Sequence, residues 1–157
     1  VFADIATLRT GGKVDDYFII HLMKPARMPE VKITLKASYL MCENEPRFVL
    51  HGTEGSYVKY GLDPQEADLT KGMLPDTPHW GEEDESQWGI LHTETDGNVV
   101  RKPYPTLPGN YAAFYENIYQ HIRNGAVLQS DACGVLGVIR LIEAAWESSR
   151  TGNVIKL

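Results

Sequence analysis

Cations are in the minority here: 15 Lys and Arg against 21 Asp and Glu leave a net charge of −6. Phosphate backbones need clustered cations, so nucleic-acid binding is excluded as the expected function. Cysteine is scarcer still. Cys42 and Cys133 are too few and too far apart for a disulfide framework or a zinc-ligand spacing, a usage that suits a reducing cytoplasm. Cys133 lies in a helical pattern and is expected to be a small core residue. No apolar run approaches the roughly 20 residues that span a bilayer. The front, VFADIATLRT, has no basic-then-apolar layout of a signal peptide. Also missing are G-x-G-x-x-G after a strand, a P-loop, G-x-S-x-G and H-E-x-x-H.

What is present is a chain of 157 residues, 43% hydrophobic and 23% charged. That composition suits one soluble domain with a real core. The stretch Arg47 to Gly61 organises it. Arg47, Val49 and His51 alternate with Phe48 and Leu50, the period of a strand. Gly52 and Gly55 bracket Thr53-Glu54, where positive φ angles are expected, and Ser56 to Tyr60 leaves as a second strand. Before this hairpin come Val1 to Thr10, then Asp15 to Met23, then Val31 to Tyr39. The second carries apolar residues on both faces and is expected to be central and covered on both sides. Lys24 to Glu30, with two prolines, reads as a turn. Short links favour antiparallel neighbours, which with the hairpin makes one sheet of about five strands.

After the hairpin the pattern turns helical. Asp63 can cap and Pro64 can open a short helix that Gly72 ends. Asp96-Gly97 joins a further hairpin, Ile90 to Thr93 with Val99 to Lys102. Asn110 caps a helix with Tyr111, Phe114, Tyr115, Ile118, Tyr119 and Ile122 at spacings of three and four, closed by Asn124-Gly125. Ser130 or Asp131 caps another, whose apolar face is Val135, Ile139, Ile142 and Trp146, with Val138, Ala145 and Ser149 alongside and Gly152 as its stop. Val154 to Leu157 reads as a last short strand. The fold class is α+β, a mostly antiparallel open sheet with helices on one face.

Between these helices and strands lies Met73 to Trp88, aperiodic and long for a loop, a kind that tends to be functional or disordered. Its tryptophans point to an ordered loop. Its acidic run, Glu82 to Glu85, reads as a solvated rim and not a metal site. Of the five histidines, His21 and His51 lie in strands, His92 in a hairpin and His121 on a polar helix face. Only His79, beside Trp80, sits where a binding residue is expected. The pairs Asp15-Asp16 and Glu43/Glu45 can bind polyols, although solvated turn acids are the commoner case. The residues alone define a soluble domain and no reaction.

The order VFADIATLR, VDDYFIIHL, VKITLKASYL, RFVLHGTEGSYVKYGLDPQE and EAAWESSRTGNVIKL resembles the C-terminal domain of the Gfo/Idh/MocA oxidoreductases. These are the glucose–fructose oxidoreductase and inositol dehydrogenase relatives. HGTEGSYVKYGLDPQE with the Trp-Gly loop is the most specific part, and it is similar to NADP-dependent scyllo-inositol dehydrogenases. The resemblance implies a fold like the C-terminal domain of glyceraldehyde-3-phosphate dehydrogenase.

It also implies a fragment, residues 1–157 being one substrate-binding and oligomerisation domain. An N-terminal Rossmann domain would bind NAD(P) and carry a Glu-Lys-Pro lysine, and an Asp-x-x-x-His helix would precede this chain. None of those motifs is in this sequence, so no catalytic residue, cofactor-binding residue or metal ligand carries over. The chain alone is expected to bind no dinucleotide and to be inactive. What carries over is pocket lining, from the Met41 to Pro46 turn and the Met73 to Trp88 loop: His79, Trp80, Glu43 and Asn44, chosen by loop position. The implied partners are a small polyol or sugar and further copies of the chain through the sheet face, with no nucleic acid and no membrane. The rival expectation is a non-enzymatic, self-associating α+β binding module.

Overall fold

A computed structural model describes residues 1–23 and 30–157; the expected proline-rich turn, Lys24 to Glu30, lies outside the described residues apart from Glu30. In chain order the elements are β1 (Phe2–Ala6), β2 (Tyr17–Met23), β3 (Lys32–Ser38), β4 (Phe48–His51) and β5 (Gly55–Lys59). Then come α1 (Pro64–Thr70), a 3-10 turn (Glu85–Gln87), β6 (Gly89–Thr95), β7 (Asn98–Tyr104), α2 (Ala112–Asn124) and α3 (Ala132–Thr151). The chain divides into two compact units, 1–42 with 129–157, and 43–128. This is the α+β class read from the sequence, with open antiparallel sheets. The sheet is not one of about five strands, however. The strands form a three-stranded sheet, β1-β2-β3, and a four-stranded one, β4-β5-β6-β7. The hairpin continues into β6, because Gly55 to Val58 pairs with Ile90 to Thr93.

In the first unit β2 is central, as expected, with Ala3 opposite Ile20 and Ile20 opposite Leu35. Opposed residues share a face, so Ala3, Ile5, Phe18, Ile20 and Leu22 turn one way. Ala3, Ile20 and Ala145 form the buried centre, with Val1, Ile5, Phe18 and Leu22 packed around it. The other face of β2 carries Tyr17, Ile19, His21 and Met23; Tyr17 and Ile19 are half-buried, and His21 and Met23 are exposed, Met23 at 49%.

Helix α3 meets β1 with its small residues. Ala144, Ala145 and Ser148 are buried, whereas Val135, Ile139, Ile142 and Trp146 are exposed. The physical reason is the strand edge. Ser148 Oγ accepts from Ala3 N at 3.0 Å and Ser149 Oγ from Ile5 N at 2.9 Å. The serines thereby satisfy backbone N–H groups that the β1 edge would leave unpaired. Small side chains let the helix come that close. Cys133 is exposed, not a core residue. At the chain end, Val154 to Leu157 forms no strand, although Ile155 and Val1 exchange two backbone bonds, of 2.9 and 2.7 Å.

The turn between β1 and β2 is fixed by Asp16, which is buried. Its carboxylate accepts from Leu8 N at 2.7 Å, Arg9 N at 3.1 Å and Arg9 Nε at 2.8 Å. The Leu8 amide foremost, then the Arg9 side chain, holds its pKa below the ordinary 3.8. This acid is a turn anchor and not a solvated group.

In the second unit the Asp96-Gly97 hairpin forms as expected, with φ of 52° and 76° at the two turn residues. The β4–β5 turn departs from expectation, since neither Gly52 nor Gly55 has positive φ. Gly55 is required by space: a Cβ there would stand 2.5 Å from the carbonyl oxygen of His92 on β6. Helix α1 is capped by Asp63, which accepts from Gln65 N. Asn110 Oδ1 accepts from Ala113 N at 3.0 Å at the start of α2, and Gly125 ends that helix with φ of 67°. The apolar stripe of α2 is not buried; Phe114, Tyr115 and Ile122 are each more than half exposed.

Candidate functional site

The second unit holds a cavity of about 440 Å3, within the range of about 300–1,000 Å3 typical of small-molecule sites. Its walls come from the end of β5, the start of α1, the 81–83 segment and the 106–111 segment. Arg47, Lys59, Asp63, Glu66, Glu83 and Thr106 supply the polar lining.

Gln65 binds three of these segments together. It is fully buried. Its Oε1 accepts from the Trp80 indole at 2.7 Å and from Tyr111 N at 2.9 Å. Its Nε2 donates to Asp63 Oδ1 and Oδ2 at 3.0 and 3.1 Å. Every polar atom of the amide is therefore used, which suits a buried group. The wall is also sealed by two glycines. Gly109 N donates to Gly81 O at 3.1 Å, and a Cβ on Gly109 would come within 2.1 Å of Asp63 and Gln65 side-chain atoms.

Lys59 fixes the opposite wall. Its ammonium donates to Tyr60 O at 2.8 Å, Glu83 Oε1 at 2.6 Å and Gln87 O at 2.7 Å. The three donors of the group are satisfied. Glu83 is only 6% exposed at its side chain. The acidic run is thus split, contrary to the expectation of a solvated rim: Glu82, Asp84 and Glu85 are exposed and Glu83 is buried. Asp84 caps the 3-10 turn, and the Ser86 hydroxyl and amide hold its pKa below 3.8. Among the described residues, Glu83 Oε2 and Thr106 Oγ1 are buried with no hydrogen-bond partner.

None of the four expected site residues lines this cavity. His79 is exposed, with Nδ1 2.9 Å from Glu82 Oε2, and its φ of 63° is unusual for a residue with a side chain. Trp80 has its indole N–H committed to Gln65. Glu43 and Asn44 are exposed in the turn before β4. Three of the other histidines are bonded: His21 Nδ1 lies 3.1 Å from Thr34 Oγ1, His51 Nδ1 2.8 Å from Ser56 Oγ and His121 Nδ1 2.7 Å from Ala126 O. Sequence reasoning missed Lys59, Gln65, Glu83 and Thr106. A lysine inside a β-run and a glutamine just after Asp-Pro were the available signals.

Two of the three α-helices carry an aspartate cap at their start: Asp63 and Asp131 place their own carboxylates on the starts of α1 and α3. No group of three or more metal-ligating side chains gathers among the described residues, and no described helix is long and apolar enough to cross a membrane.

Comparison with known proteins gives the family of this α+β chain with its two open antiparallel sheets. Residues 3–157 match the C-terminal alpha/beta domain of the Gfo/Idh/MocA oxidoreductase family, and the chain belongs to that family. It is 32% identical, over its whole length, to scyllo-inositol 2-dehydrogenase (NADP(+)) IolW of Bacillus subtilis, and covers 43% of that protein. An uncharacterized oxidoreductase of Schizosaccharomyces pombe is 35% identical over 92% of the chain, which covers 42% of it. Among solved structures, a Bacteroides fragilis protein classed as an oxidoreductase matches with a TM-score of 0.93 and 58% identity, over 99% of this chain and 46% of that one. The chain therefore spans less than half the length of these relatives.

Proposed function

We propose that this chain supplies the substrate-binding and subunit-association part of an NAD(P)-dependent sugar or cyclitol dehydrogenase. The observation that carries the reading is the end-to-end similarity to an NADP-dependent scyllo-inositol dehydrogenase. A Rossmann domain elsewhere in the parent polypeptide holds the dinucleotide, a reading supported by the match of this chain to a C-terminal domain of oxidoreductases. Hydride passes between a secondary alcohol carbon and the nicotinamide, with the proton managed outside this chain.

In this reading His79, Trp80, Glu43 and Asn44 belong to the substrate side. The left-handed backbone of His79 supports its place, because such strain concentrates at functional positions. Trp80 acts through Gln65, holding the 80s segment in place. Subunits associate through the sheet face of Tyr17, Ile19 and Met23, and the enzyme works in the cytoplasm. The test is a turnover screen of the parent polypeptide with NAD+ or NADP+ against inositols, aldoses and ketoses. Reduced nucleotide forming with a cyclitol or sugar is expected; none forming with any of them overturns the reading.

A further inference from the structure

Tyr111, Tyr115 and Tyr119 follow one another at intervals of four, which sets their rings along one side of helix α2. With Leu69, from the last turn of α1, and Pro75 they line a groove of about 490 Å3. Tyr111 is the one residue it shares with the cavity described above. The rings can be reached from solvent, Tyr111, Tyr115 and Tyr119 being 40%, 71% and 54% exposed. Tyr115 also stands edge-on to Phe114, with ring centres 5.4 Å apart, a contact that steadies it. Glu116 is the only charged residue of the lining. Its Oε1 accepts from Gln120 Nε2 at 2.7 Å, which orients the carboxylate on the helix.

We propose that this groove takes a small quaternary ammonium compound, with the tyrosine faces and Glu116 as its partners. The face of an aromatic ring carries partial negative charge and attracts a cation placed over it. Glu116 adds a full negative charge, and no basic residue of the lining opposes it. The surrounding unit works in the same direction. Residues 43–128 carry 14 Asp and Glu against six Lys and Arg, a field that draws cations in and repels anions. A metal ion or a bare ammonium holds its water tightly, and one carboxylate does not offset the loss of that water. Methyl groups on the nitrogen spread the charge over apolar surface. Such an ion sheds water at lower cost and meets the rings, Leu69 and Pro75 with its methyl groups. A neutral ligand of the same shape would gain nothing from Glu116. The groove is of the size that holds small molecules, and it stands whatever the parent polypeptide oxidises.

Choline is the probe, and its control is the alcohol of the same shape in which a quaternary carbon replaces the nitrogen. Titration calorimetry on the 157-residue chain gives both affinities, and proton NMR follows the choline methyl groups, which ring currents shift upfield when they lie over tyrosine faces. The expected result is choline binding with that upfield shift, and binding of the alcohol weaker by about tenfold or more. Tyr115→Leu removes a ring face and should weaken choline about tenfold, whereas Tyr115→Phe keeps the face and should bind as the wild type does. Glu116→Gln should bring the affinities for choline and the alcohol closer together. Tyr115 and Glu116 are both exposed, so these variants should melt with the wild type. If Tyr115→Leu is destabilised, Glu116→Gln decides. No choline binding by the wild type, equal affinity for the uncharged alcohol, or wild-type choline affinity in Tyr115→Leu or Glu116→Gln overturns the proposal.

Discussion

Lys59 Nζ stands 2.6 Å from Glu83 Oε1, and the two side chains are 10% and 6% exposed. This pair ties the end of β5 to the long acidic loop. It is also the point where a strand position and a loop position, 24 residues apart in sequence, become one wall of the cavity.

Breaking the pair from one side should be severe. Lys59→Met leaves a carboxylate buried without its cation, which costs about 3–5 kcal/mol where such pairs have been broken. The double variant Lys59→Met with Glu83→Leu should recover most of that loss, because no lone charge remains. Urea denaturation of the three proteins measures it. A single variant as stable as wild type would show that the pair is solvated in solution.

Gly55→Val should destabilise by about 1–3 kcal/mol through overpacking against β6. The strain comes from the His92 carbonyl, 2.5 Å from the added Cβ, and not from the backbone angle. An unchanged melting temperature in Gly55→Val would contradict the close approach of the two strands.

Asp16 makes stability depend on pH. Its folded pKa lies below the ordinary 3.8 because Leu8 and Arg9 hydrogen bonds favour the carboxylate. The unfolded state therefore takes up the proton first as pH falls. The stabilisation is fully present above the ordinary value and is lost as pH drops through the lower folded value. Asp16→Asn should show a flatter loss of stability below about pH 4 than the wild type. Identical acid denaturation profiles would mean that the turn contacts do not form.

Ile19→Glu should leave the protein monomeric at low micromolar concentration if subunits meet through the Ile19 face of β2. A charge there cannot be buried against a copy of itself without a large desolvation cost. Sedimentation equilibrium reads the outcome; a dimer that survives the substitution places the contact elsewhere.

Local chemistry was legible in the sequence wherever one residue determines it. Asp63-Pro64, Asp96-Gly97, Asn124-Gly125 and Gly152 mark helix ends and a turn that occur as read. Packing was less legible, because it depends on which neighbour arrives. The large apolar stripe of α3 suggested its buried face, but bonding of Ser148 and Ser149 to β1 selects the small face. Gly55 was recognisable as necessary, although the cause is a strand 37 residues further on. Glu83 was hidden in its acidic run, since nothing local separates it from Glu82 or Asp84. Its burial follows from Lys59, and that pairing is purely tertiary.

Hydride transfer from a polyol is the step that defines the proposed dehydrogenase. The direct measurement uses scyllo-inositol deuterated at its ring carbons, incubated with the parent polypeptide and NADP+ or NAD+. Mass analysis of the recovered nucleotide then follows the label. The account predicts one deuterium at the reduced nicotinamide, with formation of the inosose, and no transfer by the isolated 157-residue chain. Reduced nucleotide without deuterium, or none with any deuterated cyclitol or sugar, would contradict it.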